Sequence, residues 1–350
     1  MKKIIILLLT SVIIFACGGG SGKGGGIIDD DDNTTGSTQT PPAGNTGNGS
    51  TDNNTGNNTG NGSADNDTDS NTGSGNTGGT GNNTGGTNID PLNTNANIGG
   101  EKYAYRIEIP ALNDDDVYTT RCTTVNGKEQ ITYSISHNLE RRHSRWVAFT
   151  FDSSNRAIKA DRIDNFRADP DFIGAYTLTS EEIRNNGQQR YQRGHLVASH
   201  DRRYSSEAND QTFYMSNISP MLEKFNTGMW QDLESLINYD SGWGRSRTFA
   251  DTLYVVKGGT INKGQYKASG TCPTVPEYFF MALLRLKNNS YYGIAFLMPH
   301  KTYLAGKVAD YACTIDELEE FTGIDFFCNL NDRLENAVES SINKSSWNLK

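Results

Sequence analysis

Between Gly18 and Asn97 the chain is built almost wholly from Gly, Asn, Thr, Ser and Asp, with recurring units such as Asn45-Thr46-Gly47 and Asn58-Thr59-Gly60. Large apolar side chains are almost absent, so nothing offsets the conformational entropy lost on ordering. Residues 17–97 therefore read as a disordered tether, and any packed core is confined to 98–350. A coil of about 80 residues has an r.m.s. reach near 50 Å, enough to hold a domain clear of a surface.

The residues before the tether read as a processing signal. Lys2 and Lys3 precede the apolar run Ile4–Phe15, and Ile-Phe-Ala-Cys ends it at Cys17. That run is too short for a bilayer-spanning helix, which needs about 20 residues. Residues 1–16 followed by Cys17 resemble a bacterial lipoprotein signal, in which the cysteine thiol takes the lipid. This implies export and a membrane anchor at Cys17, at the outer membrane or cell surface, since no Asp follows the cysteine to argue for inner-membrane retention. Four further cysteines in an exported domain suggest disulfides with three possible connectivities, of which Cys313–Cys328, flanking one helical segment, with Cys122–Cys272 is favoured.

The signal and tether carry nine acids and three bases, so the domain retains 32 acids against 29 bases and stands near −3. Nine bases against five acids between Arg121 and Arg167 form either a phosphate-facing patch or an ordinary solvated surface. Alternation at 130–137 predicts a half-buried strand, and Trp146–Phe151, Asp251–Ile261, Tyr278–Lys287 and Tyr291–Met298 predict others. Asn288-Asn289 signals a hairpin. A short helix is expected after Ser180, a second from Asn226 with the stripe Met229, Trp230, Leu233, Leu236 and Ile237, and two more after the Thr314/Glu317 capping box and over 332–342. Strands and helices come in runs without βαβ alternation. That pattern predicts an α+β fold with a mixed or antiparallel sheet.

The chemistry gathers between residues 188 and 237. Arg193 and His195 are two apart and share a strand face. Asn217 lies in Ser216-Asn217-Ile218-Ser219-Pro220, and Asn226 is followed by Trp230 and Leu233-Glu234. Taken alone, each has a plainer reading: a structural histidine, a turn amide, an exposed helix carboxylate. Together they offer a cation to fork onto phosphate, a base near neutrality and hard oxygen donors suited to a metal that keeps several waters. Gln192-Arg193-Gly194-His195, the Asn217 stretch and Asn226 with Leu233-Glu234 resemble the DNA/RNA non-specific endonuclease family, a ββα-metal group that includes endonuclease G.

The resemblance implies Mg²⁺-dependent (or Mn²⁺-dependent) hydrolysis of DNA and RNA. His195 would be the general base, Arg193 the transition-state cation and Asn217 a residue that fixes the site. Asn226 would be the direct metal ligand, with Glu234 holding one of the metal's waters. The family motif opens with Asp where this chain has Gln192, which predicts retuned activity. Two other readings are an inactive nucleic-acid-binding lipoprotein and an adhesive surface protein.

Overall fold

A computed structural model describes residues 92–349 except 173, 175 and 188. The expected signal, most of the tether and Cys17 lie outside the described residues. In chain order the elements are β1 (Val117–Val125), β2 (Lys128–Asn138), β3 (His143–Phe151), α1 (Ser180–Arg184), β4 (Gln192–His195), α2 (Ser206–Gln211), β5 (Ile218–Met221), α3 (Glu223–Asn226) and α4 (Met229–Asn238). They continue with β6 (Thr252–Gly259), β7 (Tyr266–Ser269), β8 (Cys272–Pro276), β9 (Tyr278–Lys287), β10 (Ser290–Pro299), β11 (Ala312–Cys313), α5 (Ile315–Thr322) and α6 (Asp332–Glu339).

Seven strands form one antiparallel sheet in the order β1-β2-β3-β6-β9-β10-β11, while β4-β5 and β7-β8 are separate two-stranded units. The fold is α+β with an antiparallel core. β9 shows why it is buried on both sides: Phe279, Met281 and Leu283 join one apolar cluster, and Phe280, Ala282 and Leu284 join another. Successive side chains of a strand point to opposite faces, so a strand covered twice must be apolar throughout. One face packs Leu196, Val197, Met221, Phe225, Trp230, Leu233 and Ile237 from the segment that carries the motif. The other packs Ile315, Leu318 and Val338 from α5 and α6. Each such side chain contributes about 1.5–3 kcal/mol on burial. The β9–β10 turn is made by Asn288 and Asn289, both at positive φ (49° and 60°), the conformation a two-residue hairpin turn requires.

Two expectations need correction. The helix expected from Asn226 is interrupted: α3 ends at Asn226, and α4 starts at Met229 after Gly228, whose φ −116° and ψ −122° are not helical. A Cβ at Gly228 would stand 2.4 Å from Lys224 O, so only glycine allows this break. The disulfides are absent. Cys122, Cys272, Cys313 and Cys328 are all free, Cys272 Sγ donating to Glu182 O and Cys328 Sγ to Ile109 O in separate packed environments. The basic stretch is largely consumed in ion pairs, with Arg121, Arg142, Arg145 and Arg167 bound to Asp169, Glu182, Asp116 and Asp210. In addition, Asn93 and Asn97, placed in the tether by composition, bond to Cys328 O and to Ala104 O and Pro110 O of the domain.

Candidate active site

The β4–β5 pair, with α3 and α4 following it, forms a ββα unit on one face of the large sheet. Gln192 faces Met221 and His195 faces Ile218 across the pair. Gly194 is obligatory here, because a Cβ would meet Met221 Sδ at 2.2 Å. Two buried imidazoles fasten the unit from outside. His143 of β3 accepts the Ser219 hydroxyl at 2.7 Å, and His300 accepts the Leu222 N–H at 2.8 Å while donating to Pro276 O. Burial pushes both well down, to about 4, which keeps them neutral and able to accept.

Arg193 and His195 emerge on the same face of β4. The His195 ring lies 5.4 Å from Phe166 and 5.0 Å, edge to face, from Phe213. The Arg193 guanidinium covers Phe166 at 3.8 Å, and that of Arg162 covers Phe213 at 5.0 Å. Two cations thus flank one imidazole. Burial first, then Arg162 and Arg193, depress His195 to about 3. Its Nε2 is enclosed without a hydrogen-bond partner among the described residues.

Asn217 has a different place. It is wholly buried, its Oδ1 accepts the Val197 N–H at 2.8 Å, and its Nδ2 donates to Val197 O and Thr212 O. Both its donors and one acceptor site are spent on backbone and the residue is wholly buried, so it holds the segment after His195.

Asn226, at the end of α3, donates Nδ2 to Gln192 Oε1 at 2.8 Å. An amide whose nitrogen is held this way presents its oxygen, and Oδ1 has no protein partner among the described residues. On α4, Glu234 Oε1 accepts Lys257 Nζ at 3.0 Å, and the same ammonium bonds Asp201 Oδ2 at 2.9 Å. Asp201 also accepts Asn238 Nδ2 and the Ala198 N–H. Lys257 and Asp201 are fully buried, and Glu234 is half-buried. Burial works against the ammonium, yet Asp201 and Glu234 hold its pKa above the ordinary value. Lys257 in turn helps hold Asp201 below its own. Burial lifts Glu234 in spite of the lysine.

Residues 113–333 match the model of the DNA/RNA non-specific endonuclease family. The chain belongs to that family. A nuclease of Nostoc sp. is 28% identical over 218 residues, covering 60% of this chain and 76% of that one. Nuclease C1 of Cunninghamella echinulata is 28% identical over 58% of this chain and 83% of its own. Human mitochondrial endonuclease G is 28% identical over 45% and 54%. In a crystal structure of an EndoG/EndoGI complex, one chain superposes with a TM-score of 0.50 at 20% identity, covering 61% of this chain and 88% of that one.

As a member of this family the protein is a nuclease that hydrolyses phosphodiester bonds, and endonuclease G-like nucleases depend on a metal ion. The donor set fits one. Asn226 Oδ1 and the Glu234 carboxylate are hard oxygen donors of the kind such an ion takes. The motif reading did not identify Lys257, Asp201 or Arg162. A lysine inside the apolar run Leu253-Tyr254-Val255-Val256-Lys257 was the available signal, since a buried ammonium requires carboxylate partners.

Proposed function

We propose that the protein is a Mg²⁺-dependent endonuclease that cuts DNA and RNA without regard to sequence, outside the cytoplasm, anchored by lipid at Cys17. The observation that carries the catalytic reading is the placement of His195 between the Arg193 and Arg162 guanidinium groups across Phe166 and Phe213. A neutral ring is the form a general base needs, and its position beside two cations is where a phosphate would sit. Water attacks phosphorus in line, its proton passes to His195, and the bond to the leaving oxygen breaks. Arg193 and Arg162 neutralise charge on the phosphoryl oxygens and, once a phosphate screens them, cease to oppose the imidazolium. Mg²⁺, held through Asn226 Oδ1 with Glu234 behind it, would supply further charge neutralisation at phosphorus and at the leaving oxygen. Every group of this kit addresses backbone phosphate and none a base edge, which supports action on both nucleic acids.

The test is plasmid and RNA cleavage by the wild type and His195→Ala, with Mg²⁺ and with chelator. The expected result is cleavage that requires the ion and falls roughly 10²–10⁴-fold in the variant. Equal cleavage by both proteins would overturn the assignment of His195, and binding without cleavage by the wild type would favour a nucleic-acid-binding lipoprotein. Anchoring is tested separately, by incorporation of labelled palmitate that Cys17→Ala abolishes.

A further inference from the structure

On the sheet face opposite the active site, α5 and α6 bring together carboxylates that catalysis does not use. One carboxylate oxygen from each of Asp316, Glu319 and Glu339 lies within 4.8 Å of the others. Glu339 is only 5% exposed, and its Oε1 is enclosed with no hydrogen-bond partner among the described residues. Asp325 and Glu335 stand close by, both accepting from Asn95 Nδ2, at 3.2 and 2.9 Å. No lysine or arginine among the described residues forms an ion pair with any of the five.

This is an expensive arrangement for a protein alone. A buried carboxylate without a partner costs several kcal/mol, and like charges around it add to the penalty. Burial, followed by repulsion from Glu319, Glu335 and the nearby aspartates, pushes Glu339 up to about 10. Glu319 rises to about 8 for the same reasons, although the Phe326 N–H donates to its Oε1 at 2.7 Å. A cation between the helices would remove the penalty.

We propose that Asp316, Glu319 and Glu339 form a calcium site that clamps α5 to α6, separate from the catalytic ion. The donors are all hard oxygens, with no nitrogen or sulfur to favour a transition metal. Two ligands of one calcium ion stand at most about 4.8 Å apart, twice a Ca–O distance near 2.4 Å, and the three oxygens here fall within that limit of one another. Magnesium demands tighter octahedral geometry near 2.1 Å and gives up its waters reluctantly, so three carboxylates on two helices suit calcium better.

The experiment is calorimetric titration of the purified protein with Ca²⁺ in excess Mg²⁺, alongside thermal unfolding in the same buffers. The wild type should take up one calcium ion, with Tm rising roughly 3–6 °C at calcium tenfold above Kd. Asp316→Asn, at an exposed position, should weaken uptake roughly tenfold, and Glu339→Gln roughly a hundredfold. Asn226→Ala, altered only at the catalytic ion, should keep both responses. No heat or Tm rise in the wild type, an undiminished response in both carboxylate variants, or loss of the response in Asn226→Ala would each overturn the site.

Discussion

Gln192 Oε1 accepts the amide of Asn226 at 2.8 Å, linking β4 to the end of α3. The bond decides which end of Asn226 faces the site. With Nδ2 held, Oδ1 is the atom presented to a cation, so Gln192 acts on the metal through Asn226 and need not carry a charge. Gln192→Ala should free the amide to rotate and raise the Mg²⁺ concentration for half-maximal cleavage by about 10–100-fold, the usual cost of losing a group that orients a ligand. Gln192→Asp keeps an acceptor and should stay near wild type in Mg²⁺ requirement. If the alanine variant titrates with Mg²⁺ like the wild type, this orienting role is wrong.

Lys257 makes a sharper demand. It is the single cation between Asp201 and Glu234; Lys257 and Asp201 are fully buried and the Glu234 side chain is 16% exposed. Removing one partner of a buried ion pair typically costs 3–5 kcal/mol, because the remaining charge is stranded. Lys257→Met should therefore lower stability by about that amount, and still more at neutral pH than at pH 4, where protonation relieves the stranded acids. Urea unfolding at both pH values measures this. Equal losses at the two would mean that Lys257 acts by packing alone.

The state of His195 predicts the acid limb of activity. An ordinary histidine base would lose rate as pH falls through about 6.5. Here burial and the two guanidinium groups lower the pKa, so the neutral form persists in more acidic solution. The acid limb of kcat/KM, which reports the free enzyme, should lie well below 6.5. Arg162→Ala removes one of the depressing charges and should move that limb upward. A wild-type limb at 6.5, unmoved by Arg162→Ala, would contradict the geometry described.

What could be read in the sequence was whatever local pattern decides. The apolar strands at 278–287 and 291–298, the Asn288-Asn289 turn and the Thr314/Glu317 cap each form from neighbouring residues, and each is found in place. The break at Gly228 was hidden because the helical stripe through Trp230, Leu233 and Ile237 runs on smoothly and gives no sign that the preceding turn is separate. β1, rich in threonine, lacks the alternation that marks a strand and is held by its pairing with β2. Asp201 could not be found from motif spacing, since its partners lie 37 and 56 positions away in the chain. Free thiols in place of disulfides show the limit of counting cysteines, because an even number says nothing about whether the folded elements bring them together.

The neutral histidines that fasten the ββα unit give a prediction for the fold itself. His300 accepts the Leu222 N–H and His143 accepts the Ser219 hydroxyl, so protonating either would set a donor against a donor. Their folded pKa values are near 4, below the ordinary 6.5 of the unfolded chain. The unfolded state therefore binds more protons between those limits, and stability, full above pH 6.5, is lost as pH falls towards 4. A shift of this size corresponds to about 3 kcal/mol for each buried histidine. Urea midpoints at intervals from pH 7 to 4 should fall continuously through this window, and the His143→Gln/His300→Gln double variant should fall less steeply, the remaining slope coming from His195 and His137, which burial also holds below the ordinary value. Because both contacts hold the unit that carries Arg193, His195 and Asn226, nuclease activity should disappear together with the midpoint. A wild-type midpoint that stays level down to pH 4.5 would show that neither imidazole must remain neutral for the fold to hold.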